Sequence, residues 1–97
     1  MTQVIHKYTI DLDSPTPMVL HARLLQLGVQ GDSVVVWALM EPDRFPVRKR
    51  SLRLVMTGYS PAEGGNYIGT VVLPAAWLPH GLVMHAFDFG YVKEEAE

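Results

Sequence analysis

The sequence predicts an all-β protein: a small antiparallel β-sandwich or open barrel of six to seven short strands, with at most one short helical turn. Three observations lead there. Apolar and polar residues alternate with the two-residue period of half-buried strands through most of the chain. Clusters of Gly, Pro, Asp and Asn interrupt that pattern about every ten residues, the spacing of a small all-β domain. No stretch carries a long amphipathic helix that could cover a single sheet, so one sheet folded against another hides the apolar faces most simply.

The elements follow in order. VIHKYTIDL (4 to 12) alternates, with Val4, His6, Tyr8 and Ile10 on one side, and reads as the first strand. DSPTP (13 to 17) ends it, because proline cannot donate to a central ladder. MVLHARLLQLGV (18 to 29) suits either a short helix or two short strands; the alternation of Leu25, Leu27 and Val29 favours strand. QGDS (30 to 33) is a turn. SVVVWALM (33 to 40) is apolar on both faces, the mark of a central strand with Trp37 in the core.

EPDRFPVRKR (41 to 50) reads as a polar loop and SLRLVMTG (51 to 58) as the next strand. YSPAEGGN (59 to 66) is turn chemistry, and YIGTVVL (67 to 73) is a strand whose glycine signals a bulge or a close approach. PAAWLPH (74 to 80), bracketed by prolines, is expected to form a loop or a single helical turn. GLVMHAFDFG (81 to 90) closes the fold. Residues 1 to 92 are thus expected as a single β domain and 93 to 97 as an acidic tail that frays.

Size and charge exclude several classes. The 97 residues fit one core, and 48% hydrophobic against 19% charged is a globular balance. A formal net charge of −2 provides no global field toward nucleic acid or an anionic membrane. The absence of cysteine removes disulfides, thiolate chemistry and zinc–thiolate sites. MTQVIHKYTIDLD lacks the pattern of a secretory signal, and the longest apolar run, VVVWALM, is far short of the ~20 residues of a membrane helix. The expectation is a cytoplasmic protein without a membrane role.

Few residues carry recognisable chemistry. His80 and His85 lie five apart, so in a strand they point to opposite faces and chelate poorly; no metal site is expected. His85 is expected to be a structural imidazole bonded to backbone or a hydroxyl, near His6 or Tyr8 of the first strand. Asp11 and Asp13 suit turn capping. Asp88 shares its face with Leu82, Met84 and Ala86, a stripe of core residues. Either that face opens to solvent, which is favoured, or Asp88 is paired inside. His6, Tyr8, His85 and Asp88 form the candidate polar cluster, structural or ligand-binding. The chain holds no G-x-S-x-G elbow and no P-loop, so neither catalytic residues nor a cofactor is expected.

The uneven spread of charge is more informative. Arg44, Arg48, Lys49, Arg50 and Arg53 fall within ten positions beside Phe45. Such a patch can hold an acidic protein surface, a nucleotide phosphate or an RNA backbone, or can keep an edge strand soluble. With Trp77 as an aromatic anchor, it is the candidate partner-binding surface. No paired aromatic platform is visible in the sequence, so nucleic acid is not the expected partner, though the basic loop leaves it open.

Six stretches in order, IHKYTIDL, ARLLQLGVQGD, VVVWALMEP, LVMTGYSP, NYIGTVVLP and LVMHAFDF, resemble a family of small uncharacterised bacteriophage and prophage proteins. The matching motifs are Lys7-Tyr8, Gln30-Gly31, Val36-Trp37-Ala38, Thr57-Gly58, Tyr67-Ile68-Gly69-Thr70 and His85-x-Phe87, across residues 5 to 89. The resemblance implies a phage setting and no activity. It leads to the expectation of a non-enzymatic interaction protein in the host cytoplasm, occluding a host enzyme or defence complex. Alternatives are a protein that sequesters a nucleotide-like ligand, and an accessory part of the virion. A homo-oligomer is compatible with each.

Overall fold

The computed structural model describes residues 3–10, 15–19, 21–40, 47–60, 63–75 and 78–92. Arg44, Phe45, Trp77, the Asp11 and Asp13 pair and the 93–97 tail lie outside the described residues. Within them the chain is a β-sandwich, with no helix, built from β1 (Val4–Thr9), β2 (Thr16–Val19), β3 (Arg23–Gln30), β4 (Ser33–Met40), β5 (Val47–Met56), β6 (Asn66–Ala75) and β7 (Leu78–Tyr91). One sheet has the order β1-β4-β3 and the other β2-β5-β7-β6, with every pairing antiparallel. The edges of β3 and β6 approach where Gly69 meets Leu27, but no ladder joins them into a closed barrel.

Alternation along the strands sends every second residue toward the core. Ile10, Met18, Val34, Val36, Leu52, Val71 and Met84 meet between the sheets, with Tyr8, Leu27, Leu54 and Leu73 packed around them. Val34 and Val36 point inward from β4, the middle strand of its sheet. Trp37 departs from its expected place in the core. It points outward, half-buried, with its ring against Gly28 of the neighbouring strand. Lys7 Nζ donates to Gln30 Oε1 from the opposite edge. The register places that bridge across β4 at the level of Val35, which is buried although it faces away from the core.

Three segments read as loop are strand. Residues 47–50 extend β5 because β2 pairs with them, Thr16 opposite Arg50 and Met18 opposite Arg48. β2 in turn starts at Thr16 and includes Pro17, which is tolerated because β2 is an edge. Residues 74, 75 and 78–80, expected as loop or helical turn, belong to β6 and β7, and Ala75 pairs with Leu78. In each case a partner strand takes up the backbone hydrogen bonds that composition alone would leave to solvent.

Asp88 is paired inside, not opened to solvent. It is 7% exposed and faces Arg50, whose Nε lies 3.1 and 3.2 Å from the two carboxylate oxygens, with Nη2 in a short contact to Oδ2. Arg50 Nη1 donates to the Ala22 carbonyl at 2.9 Å and to the Tyr91 hydroxyl at 3.4 Å, and the guanidinium lies 5.0 Å from the centre of the Tyr91 ring. The same hydroxyl accepts from the Ala22 N–H at 3.1 Å. Gly90, at φ +81°, forms the bulge that lets β7 pass two residues opposite Ser51, and its N–H donates back to Asp88 at 2.8 Å. Tyr91 and Val92 therefore belong to the folded domain; the Val92 N–H donates to the Lys49 carbonyl at 2.8 Å.

Burial alone would raise the Asp88 carboxyl. The Arg50 hydrogen bonds, the Gly90 N–H and the Arg50 charge outweigh it and hold the group below its ordinary value. Burial likewise works against the Arg50 charge, but its bond to and attraction by Asp88 leave the guanidinium pKa raised. A depressed carboxylate stabilises the fold above its unfolded pKa of about 3.9, and that contribution disappears as pH falls through the lower folded value. Asp88→Ala is expected to cost about 3–5 kcal/mol, since it leaves a buried cation uncompensated, while Arg50→Met with Asp88→Leu costs less. Urea unfolding at neutral pH checks the order. Repeating it below about pH 4 should shrink the gap between wild type and Asp88→Ala.

Candidate functional site

The outward face of the four-stranded sheet is covered by nothing else in the described chain. Because β7 is flanked by β5 and β6, side chains of the three strands stand in rows across it. The register aligns Val83 with Val72, and His85 with Thr70 and Val55. It then aligns Phe87 with Tyr67 and Arg53. Phe89 comes next along β7, lying over Gly65, where a Cβ would come within 2.6 Å of the ring. A side chain at residue 65 would collide with the end of that ring.

One row is a hydrogen-bonded chain. His85 Nε2 lies 2.8 Å from Thr57 Oγ1 and His85 Nδ1 lies 2.9 Å from Thr70 Oγ1, which is in turn in short contact with the Tyr67 hydroxyl. Both ring nitrogens are thus engaged by hydroxyls, each of which can donate or accept. The Tyr67 and Phe87 rings meet edge to face at 5.7 Å, and the Arg53 guanidinium sits 5.1 Å from the centre of the Phe89 ring. Tyr67 is 60% exposed, and Val72 and Val83 are also exposed.

Among the described residues, the charged side chains at outward positions of these strands are cationic. Along β5 the outward positions carry Lys49 and Arg53, while the inward ones carry Arg48 and Arg50. Among the described residues, no carboxylate occupies an outward position of β5, β6 or β7.

The predicted site residues separate accordingly. The basic cluster is divided by strand alternation: Lys49 and Arg53 reach the open face, Arg48 is half-buried, and Arg50 is committed to Asp88. The proposed grouping of His6, Tyr8, His85 and Asp88 does not form. His6 and Tyr8 are on β1 of the other sheet, their rings 4.8 Å apart, with the Tyr8 hydroxyl bonded to Met40 Sδ at 3.2 Å. His85 and Asp88 are on β7 but point to opposite faces. His85 is bonded to neighbouring hydroxyls, as expected, but they come from β6 and from the residue after β5, not from the first strand.

Sequence reasoning missed Thr57, Tyr67, Thr70, Phe87 and Phe89 as one surface. Three of the short motifs that carry the resemblance, Thr57-Gly58, Tyr67-Ile68-Gly69-Thr70 and His85-x-Phe87, contribute to it. The signal was there in the alternation of β7, but strand order was needed to join it to the other two. An open cleft of about 220 Å³ lies between the β3 and β6 edges, lined by Leu25, Gln26, Leu27, Ile68 and Thr70 among others, so Thr70 borders both the cleft and the hydroxyl chain. The register slips of both strands fall there, between Leu24 and Gln26 and between Tyr67 and Gly69. Among the described residues no three His, Asp or Glu side chains gather in a way that could hold a metal ion, and no helix is long and apolar enough to cross a membrane.

These features define a small antiparallel β-sandwich whose four-stranded sheet carries, on its outward face, a hydroxyl–imidazole chain among aromatic rings with cations along one side. The chain belongs to the family described as domain of unknown function DUF7352, whose pattern matches residues 1–96. No curated protein and no solved structure matches it.

The polar row sits at the surface, so its bonds compete with water and contribute little to stability. Thr57→Val, Thr70→Val and His85→Val are each expected to cost no more than about 1.5 kcal/mol in urea unfolding. That is well below the cost at Asp88.

Proposed function

We propose that this protein acts by binding, not by catalysis, as a phage-encoded interaction protein that occludes a host macromolecule. Its contact surface is the outward face of the four-stranded sheet. The observation that carries this reading is that face itself: exposed and half-exposed Tyr67, Val72, Val83, Phe87 and Phe89, with Lys49 and Arg53 along one side and no carboxylate at the outward positions of β5, β6 and β7. Aromatic residues and arginine are the side chains that carry binding energy most often. His85 adds polar groups to that face, both its ring nitrogens being bonded to threonine hydroxyls. The setting in a phage, and a role in host takeover or counter-defence, rest on the family resemblance.

The basic contact surface is thus narrower than the run of cations in the sequence. Lys49→Glu combined with Arg53→Glu is expected to abolish capture of the partner from infected cells while the melting temperature is kept. Lys7→Glu, on the opposite sheet, should leave capture intact. Undiminished capture by the double variant would remove this face from consideration.

A further inference from the structure

Resting on that reading, we infer that the face is built for single-stranded nucleic acid. Three properties distinguish that occupant from an acidic protein surface. The first is where the polar groups sit. Protein interfaces are driest and most apolar at their centre. Here the middle of the face holds the hydrogen-bonded chain Thr57, His85 and Thr70 beside Val55, with rings on one side of it and Val72 and Val83 on the other. Interfaces with nucleic acid are polar and hydrated, and amphoteric hydroxyl and imidazole groups can meet the edge of any base.

The second is the spacing of the rings. Phe87 and Phe89 are successive outward residues of one strand, so they stand about 6.8 Å apart. That is roughly twice the 3.4 Å step of a stacked duplex strand. A row of that pitch suits bases splayed from an extended single strand, and Tyr67, 60% exposed beside Phe87, adds a third ring. Stacking of this kind tolerates any sequence because every base has a π-face.

The third is the placement of charge. Lys49 and Arg53 follow β5, parallel to the ring row on β7, with Arg53 already stacked against Phe89. A backbone running along β5 would meet both cations while its bases reach across to β7 and β6. No outward carboxylate on these strands opposes the phosphates. The sequence did not show this platform, because its rings come from two strands that only the sheet order makes neighbours.

The test is fluorescence anisotropy with end-labelled oligothymidylate at low salt, with a duplex of the same length, free thymidine monophosphate and polyglutamate as competitors. Saturable binding to the single strand is expected, displaced poorly by duplex, mononucleotide or polyglutamate. Tyr67→Ala and Phe87→Ala should each weaken it about tenfold, in the range of one lost stacked base. Lys49→Ala and Arg53→Ala should each reduce the salt slope by roughly 0.7, one phosphate contact on a single strand. Lys7→Ala should change neither, and melting temperatures confirm that every variant is folded. Absence of saturable binding, equal affinity for duplex, displacement by polyglutamate, or an equal loss with Lys7→Ala would each overturn the assignment. If oligothymidylate fails to bind while Lys49→Glu with Arg53→Glu still abolishes capture from infected cells, the occupant is a protein and the binding face stands.

Discussion

The structure depends on the ion pair between Arg50 and Asp88. It lies between the sheets at one end of the sandwich, where Arg50 also grips the Ala22 carbonyl and Tyr91 holds the Ala22 N–H. Ala22 leads directly into β3, so this one cluster ties the three-stranded sheet to β5 and β7 of the other. Buried ion pairs often add little net stability, because desolvation offsets the attraction. Their value here is in register. A slip of one residue in β5 or β7 would turn a charge outward and leave its partner buried alone. The bulge at Gly90 fits the same constraint, letting Tyr91 reach Arg50 while Asp88 keeps its place.

Once that register is held, both faces of the four-stranded sheet follow. Leu52, Met84, Ala86 and Asp88 go inward, and Arg53, His85, Phe87 and Phe89 go outward. The core needs the first set. The second set has no structural task of comparable weight: the rings are half-exposed and the hydrogen bonds of His85 lie at the surface.

The edges of the sandwich are managed differently. β2 is short and holds Pro17, which discourages pairing with another chain. β3 and β6 are longer, but they face one another across the cleft and each slips register there. Such irregularities turn an edge away from uniform pairing. The remaining edge, β1, leaves Val4 and Ile5 exposed.

Much of this was legible in the residues. The two-residue period identifies the strands from Val4 to Ile10 and Gly81 to Gly90, and it puts Tyr8 with Ile10 on one side of the first and Leu82, Met84 and Ala86 on one side of the last, because a strand's own geometry dictates which residues share a face. It also marks Asp88 as an anomaly on a core stripe. Periodicity says nothing of which strands are neighbours, and that is where the sequence stopped. Arg44 to Arg53 read as one basic patch because they are adjacent in the chain, yet alternation along β5 sends Arg50 to the interior and Lys49 and Arg53 to the open face. His6 and His85 read as possible neighbours, yet they belong to different sheets. Thr57, Thr70 and Tyr67 were not site candidates, and the two threonines meet His85 only because β5 and β6 flank β7. The sequence by itself determined the all-β class and which residues of a strand share a face, both consequences of local backbone geometry. Strand order, a matter of long-range pairing between distant segments, decided which outward residues form a surface.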